Sequence, residues 1–74
     1  MAKSKSSGSV YRITELIGTS SVSWEDAAKN AVEIAGKTLR DLRIAEVADL
    51  DMVIENGKVS LYRAKVRLSF KYDA

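Results

Sequence analysis

The 74-residue sequence contains no cysteine and no histidine. These absences exclude disulfide bonds, zinc sites built from cysteine or histidine, histidine general bases and cysteine nucleophiles. A single domain of this size gains only a few kcal/mol of net stability from its own core. We therefore expect the remaining stability to come from oligomerisation or from an ion held by oxygen ligands, and of these two we favour oligomerisation.

An excess of charge of one sign is also missing. Twelve Lys and Arg residues stand against ten Asp and Glu residues, for a net charge of +2, which is too balanced for a dedicated nucleic-acid binder. No apolar run approaches the roughly 18 residues of a membrane-spanning helix, and the start of the chain lacks the apolar segment of a signal peptide. These features predict a soluble, cytoplasmic protein with neither a membrane nor a nucleic-acid partner.

The most informative segment of the chain, residues 42–72, contains the dipeptide Asn56-Gly57. Asn-Gly between alternating apolar runs is typical of a type I′ hairpin turn, because both residues tolerate positive φ. The turn predicts two strands of about 13 residues, longer than usual at roughly 40 Å, with Glu55 opposite Lys58. Barring a bulge, the same register gives the pairs Val47 with Val66, Ala45 with Leu68 and Glu46 with Arg67.

The first third of the chain predicts a tail, a strand and a connector. Residues 1–9 are rich in serine and lysine and are expected to form a disordered tail, with residues 10–74 as one domain. Residues 10–17 are rich in β-branched and aromatic side chains and predict a strand that ends at Gly18.

A helix is predicted after the connector, which is the turn-rich segment of residues 18–23. Ser23 is the expected N-cap, with Ser20 as the alternative, because two acidic residues follow in the first turn, where they suit the helix dipole. Gly36 lies off the apolar stripe of the helix, and nothing in the sequence explains it. The stripe, whose spacing is that of an amphipathic helix, consists of Trp24, Ala27, Ala28, Ala31, Val32, Ala35 and Leu39.

The element order predicts an α+β fold of the βαββ type, with the last strand antiparallel between the other two. The helix covers one face of this sheet. We call the opposite face the second face; on the last strand it carries Leu61, Arg63, Lys65, Arg67 and Lys71. The hairpin register also assigns to it uncovered apolar residues of the kind that mark interaction sites. They are Ile44, Leu50, Met52, Ile54, Val59 and Leu61.

No catalytic constellation is present in the sequence. The serines at positions 20, 21 and 23 have no histidine to activate them, and their ordinary role is in connectors and helix caps. The segment after Gly18 lacks the glycine spacing and the lysine of a phosphate-binding loop. We therefore predict that the protein is not an enzyme.

Two carboxylates on the second strand are candidate metal ligands. Asp49 and Asp51 are two residues apart and so share a face, and Glu55 follows nearby. A hard cation such as Ca²⁺ or Mg²⁺ needs six or more oxygens, so symmetry copies would have to supply the rest. The alternative interpretation is a solvated strand edge.

A basic stripe on the last strand admits two interpretations. Arg63, Lys65, Arg67 and Lys71 could meet phosphates, or they could form ion pairs with acidic residues on neighbouring strands, such as Glu46. We favour the ion pairs, because no aromatic residues are interleaved with the stripe for base stacking.

Four segments of the sequence match one known family, namely residues 10–20, 23–28, 38–43 and 46–47. Together they resemble the dodecin family. The resemblance implies a βαββ subunit whose three-stranded antiparallel sheet partly wraps the helix. It also implies twelve copies in a hollow shell of cubic symmetry, with flavins bound in stacked pairs near the twofold axes of the flavin-type members.

The chain departs from the flavin-type pattern at the positions that the resemblance assigns to the ligand. Ile44 stands where the family has a stacking Trp, and Arg63 stands where it has a Gln that hydrogen-bonds the flavin edge. Asp51 replaces a basic residue that helps to hold the FMN phosphate, whereas Lys71 keeps the charge of a second such position. These differences resemble the calcium-associated branch, which is without flavin, and predict that binding of FMN or riboflavin is weak or lost.

Three hypotheses follow from the sequence. The first is a homododecameric dodecin-like protein that binds and stores an ion or another small ligand. The second is a flavin-storage dodecin with a remodelled site. The third is a nucleic-acid or membrane-surface adaptor that uses the basic stripe, and it is the least favoured of the three.

Overall fold

The computed structural model describes residues 8–72, which form one sheet and one helix. The elements are β1 (Tyr11–Ser20), α1 (Trp24–Ala35), β2 (Leu42–Glu55) and β3 (Lys58–Lys71). The sheet is antiparallel with strand order β1-β3-β2. The predicted βαββ architecture with a central last strand is confirmed. Most of the predicted tail, residues 1–7, lies outside the described residues, as do residues 73–74, so the domain bounds stay a prediction.

Small residues let α1 lie close to the sheet. Ala27, Ala31 and Ala35 are buried on the sheet-facing side of α1. A Cβ atom at Gly18 would overlap the backbone carbonyl of Ala27, so this close approach of α1 to β1 requires glycine. The core is completed from β3 by Ala64, Val66 and Leu68.

The start of α1 agrees with the sequence. The hydroxyl of Ser23 accepts a hydrogen bond from the backbone N–H of Asp26 at 3.0 Å, which confirms Ser23 as the N-cap. Ser20 supports the same turn from outside the helix. Its hydroxyl donates to Asp26 Oδ2 at 2.7 Å and accepts from the N–H of Val22 at 2.9 Å.

The end of α1 differs from the sequence prediction. The helix ends at Ala35 with Gly36 as its C-cap, so the predicted extension of the stripe to Leu39 is wrong as a helical assignment. Gly36 keeps helical backbone angles, with φ of −63° and ψ of −16°, so its conformation does not require glycine, and nothing in the structure explains it. Leu39 still packs against the core, and its N–H bonds the carbonyl of Ala35 at 2.8 Å.

The hairpin turn is confirmed, together with the predicted register beside the turn and again at residues 45–47. Asn56 and Gly57 have φ of 52° and 74°, as a type I′ turn requires. Glu55 lies opposite Lys58. The pairs Val47 with Val66, Ala45 with Leu68 and Glu46 with Arg67 are present as predicted.

Two bulges shift the middle of the hairpin by one residue and then restore the register, and a third irregularity shifts its far end. The first two lie between Val47 and Asp49 and between Val53 and Ile54, and the third lies between Leu42 and Ile44. Leu50 consequently lies opposite Ala64, and Met52 opposite Tyr62, on the face that the helix covers. Their predicted placement on the second face is wrong, because a one-residue shift moves every side chain of the shifted segment to the opposite face.

The same shift turns the two candidate metal ligands to the second face. Asp49 lies opposite Lys65 and Asp51 lies opposite Arg63. Uninterrupted alternation from Ile44 would have turned both aspartates towards the helix. The bulges therefore bring the residues of the predicted metal site beside a residue of the predicted cofactor site.

The subunit is elongated and poorly covered along β2. Its radius of gyration is 16.4 Å, against roughly 11 Å for a compact chain of this length. The helix lies mainly over β1 and β3. Many large apolar side chains consequently remain exposed. They include Ile13, Ile17, Ile44, Leu50, Met52, Ile54 and Val59.

Candidate functional site

Side chains of the second face form rows that run from β1 through β3 to β2, and in each row a basic residue of β3 lies opposite an acidic residue of β2. Residues directly opposite each other on antiparallel strands point to the same face, so each row brings three side chains together. The three rows are Thr19, Arg63 and Asp51, then Ile17, Lys65 and Asp49, then Glu15, Arg67 and Glu46.

The strongest contact in these rows joins Asp51 and Arg63. Arg63 Nε donates to Asp51 Oδ1 and Arg63 Nη2 donates to Asp51 Oδ2, both at 2.7 Å. This two-bond geometry matches the planar guanidinium to the carboxylate. The hydrogen bond from Arg63 lowers the pKa of Asp51, and the same bond raises the pKa of Arg63.

A weaker pair lies beside it and completes the wall of a shallow cavity. Lys65 Nζ lies 3.8 Å from Asp49 Oδ2, a contact between largely exposed side chains. The cavity has a volume of about 390 Å³. Its lining consists of Ile17, Asp49, Leu50, Asp51, Arg63 and Lys65. The structure thus places Asp49, Asp51 and Arg63 in one cavity.

The third row carries a further ion-pair network outside this cavity. Arg67 Nε donates to Glu15 Oε2 at 2.7 Å, and Arg67 Nη1 lies 3.8 Å from Glu46 Oε1. The hydrogen bond from Arg67 lowers the pKa of Glu15. The interpretation of the basic stripe as cross-strand ion pairs is confirmed for Arg63, Lys65 and Arg67.

The other two predicted cofactor residues lie far from this cavity within one subunit. Ile44 lies opposite Ser69 and is 58% exposed, and Lys71 lies opposite Tyr11. Ser69 and Arg63 are six residues apart on β3, which is roughly 20 Å along a strand. One subunit therefore does not bring Ile44 and Arg63 to the same ligand.

The carboxylates within one subunit also do not make a complete metal site. Among residues 8–72, no group of three or more acidic, histidine or cysteine side chains is arranged to hold a metal ion. Each of the two aspartates instead faces a basic side chain of β3. Any ion at Asp49 and Asp51 would need further oxygens from outside the subunit.

Trp24 contributes a contact that sequence reasoning missed. Its indole Nε1–H donates to the backbone carbonyl of Asp51 at 2.9 Å, and its ring meets Tyr62 edge-on at a centroid distance of 5.0 Å. No local pattern in the sequence predicts a contact between residues 27 positions apart. The consequence is that the first residue of α1 helps to fix the strand segment that carries Asp51.

The only helix among residues 8–72 is α1, whose 12 residues are too few to cross a membrane.

The fold and the site define a class of small βαββ proteins in which one helix covers one face of the sheet and the candidate ligand residues lie on the other. The Dodecin family model matches residues 10–73, and the chain belongs to the dodecin family. The resemblance inferred from the sequence is thereby confirmed.

Individual relatives agree with this assignment. Calcium dodecin from Mycobacterium tuberculosis is 43% identical over 63 residues, which are 85% of this chain and 89% of that protein. Its crystal structure covers 88% of this chain and 93% of that chain with a TM-score of 0.78. Dodecin from Streptomyces coelicolor is 36% identical, with a TM-score of 0.86 over 93% of this chain and 99% of that chain. The resemblance to the calcium-associated branch agrees with the higher of these identities.

Proposed function

We propose that this chain assembles into a homododecamer that binds and stores an ion or another small ligand, and that it is not an enzyme. Membership of the dodecin family supports the assembly. The elongated subunit and its exposed apolar side chains support it independently, because a chain this small needs partners to cover such a surface. We also propose that the assembled protein is soluble and lies in the cytoplasm.

The observation that carries the choice of ligand is the pairing of Asp51 with Arg63. A guanidinium held by two hydrogen bonds at 2.7 Å is not free to contact a flavin, and it cannot accept a hydrogen bond from the ring N–H as a Gln amide can. Ile44 is exposed but has no π-face on which an isoalloxazine could stack. Both features support a ligand other than FMN or riboflavin.

A divalent cation is the ligand that we favour, with Asp49 and Asp51 as its candidate protein ligands. The similar protein from Mycobacterium tuberculosis is described as calcium chelating, with its own calcium-binding site. In this chain Asp49 and Asp51 share one cavity, and symmetry copies would add the oxygens that Ca²⁺ needs. The ion would have to displace Arg63 from Asp51, and both side chains are exposed to the solvent from which the ion would arrive.

Calcium titration of the purified protein tests this proposal. Binding to the folded shell stabilises it by mass action, so millimolar calcium should raise the melting temperature and EDTA should lower it. The variant Asp49→Asn/Asp51→Asn should lose this response and keep the wild-type mass.

The matched control is Glu25→Gln/Glu33→Gln, which removes two exposed carboxylates from α1 instead. It should keep the calcium response. A response retained by the aspartate variant would place the ion elsewhere. A yellow protein with bound flavin would instead support the remodelled flavin site.

A further inference from the structure

Two basic side chains line the same cavity and point the same way. Arg63 and Lys65 alternate on β3, so their Cα atoms are roughly 6.6 Å apart on the second face. A guanidinium and an ammonium at this spacing form a good binding pair for a phosphate-type dianion, which accepts hydrogen bonds from both. The carboxylates of Asp51 and Asp49, which lie opposite them, would repel such an anion and compete with it for the two basic groups.

The two carboxylates differ in how firmly they hold the basic side chains. Asp51 engages two donors of Arg63 at 2.7 Å, whereas Asp49 lies 3.8 Å from Lys65 in a single loose contact. The backbone of Asp51 is also held from the helix side of the sheet, because its carbonyl accepts the indole N–H of Trp24 at 2.9 Å. Asp51 therefore holds Arg63 more firmly than Asp49 holds Lys65.

We propose that Asp51 is the specificity-determining residue of this cavity, and that in the ion-free protein it excludes phosphate-bearing anions by holding Arg63. The inference rests on the proposed function in one respect, which is that the cavity is a ligand site. Beyond the proposed function, we name the class of ligand that the cavity rejects and the side chain that rejects it. Removing the Asp51 carboxylate frees Arg63 to act together with Lys65.

The third row of the second face provides a control with matched geometry. Glu15 holds Arg67 through Arg67 Nε at the same distance of 2.7 Å. Arg67 does not line the cavity, and it keeps a second carboxylate, that of Glu46, at 3.8 Å. Glu15→Gln thus changes the net charge by the same amount as Asp51→Asn without releasing a basic group into the cavity.

Isothermal titration with pyrophosphate at low salt, without divalent cations, tests the proposal on the full chain. Asp51→Asn should bind pyrophosphate about tenfold more tightly than the wild type, because a charge-assisted two-donor site is released. Glu15→Gln should remain within about twofold of the wild type. Adding Arg63→Gln to Asp51→Asn should abolish the gain.

Three results would overturn the proposal. They are wild-type binding as tight as that of Asp51→Asn, an equal gain in Glu15→Gln, and no gain in a folded Asp51→Asn protein. If Asp51→Asn does not fold, Asp51→Ser is used, because the bond from Trp24 goes to the backbone and survives either substitution. The mass of each sample, measured alongside, separates failure of this inference from failure of the assembly.

Discussion

At the scale of single residues, the second face differs from a flavin site in the chemistry of two side chains. Ile44 offers no aromatic surface, and Arg63 offers only donors and is already bound to Asp51. Both positions were identified from the sequence as departures from the family pattern. The ion pair that ties Arg63 to Asp51 was not, because it depends on which residue of β2 lies opposite Arg63.

Introducing the Trp and Gln of the flavin-type pattern at positions 44 and 63 should strengthen flavin binding. The change Ile44→Trp with Arg63→Gln should tighten FMN binding by about tenfold relative to Arg63→Gln alone, since one aromatic stacking contact is worth up to about 1.5 kcal/mol. Quenching of flavin fluorescence measures the affinity. Ile34→Trp with Arg63→Gln is the control, because Ile34 is an equally exposed isoleucine on α1. Equal affinities for the two double variants would show that position 44 does not contact the flavin.

The acidic residues of the two tightest ion pairs should make stability depend on pH. The pKa values of Asp51 and Glu15 are lowered by hydrogen bonds from Arg63 and Arg67. A group whose pKa is lower in the folded state binds protons more readily when unfolded, so its stabilisation is full above its ordinary pKa and is lost as the pH falls through the lowered value. The ordinary values are about 4.

Melting temperatures measured between about pH 6 and pH 3 should therefore fall at the acidic end. The decline should be shallower in Glu15→Gln and in Asp51→Asn, because each variant lacks one of the titrating groups. Profiles in both variants as steep as that of the wild type would mean that other carboxylates cause the decline.

At the scale of the elements, the close packing of α1 on β1 depends on one glycine. Gly18→Ala should destabilise the protein by about 1–3 kcal/mol, because its Cβ would overlap the carbonyl of Ala27 and force the helix to move. Urea denaturation measures the change. Gly36→Ala is the control, since its Cβ would lie 3.4 Å from the nearest atom, in a helical backbone conformation with φ of −63°.

The control change at Gly36 should be neutral or stabilising by up to about 1 kcal/mol, because it reduces the entropy of the unfolded chain. Equal losses in the two variants would mean that the cost at Gly18 is not steric.

Local signals in the sequence predicted the elements better than the faces. Asn56-Gly57 predicted the hairpin and the pairing beside the turn, because the conformation of the turn depends on those two residues alone. The two bulges in the middle of the hairpin cancel each other, so the pairs on either side of them give no sign of the shift. They place Met52 opposite Tyr62, beside Trp24. Contacts of this kind join residues far apart in sequence and leave no periodic pattern.

At the scale of the whole molecule, the subunit is an incomplete unit. Its apolar residues along β2 are exposed, and Ile44 lies roughly 20 Å along the sheet from the row of Arg63. The sequence predicted the need for partners from the length of the hairpin and the small core. In the proposed shell, other copies would cover this surface and would bring both ends of the second face to one ligand.

Sedimentation of the purified chain shows whether it assembles into a closed shell. We expect one species with a mass about twelve times that of the 8.1 kDa chain, because closed symmetry leaves no apolar surface free to recruit more copies. The same species should persist on dilution to micromolar concentration. A folded, stable monomer at that concentration would rule out the assembly.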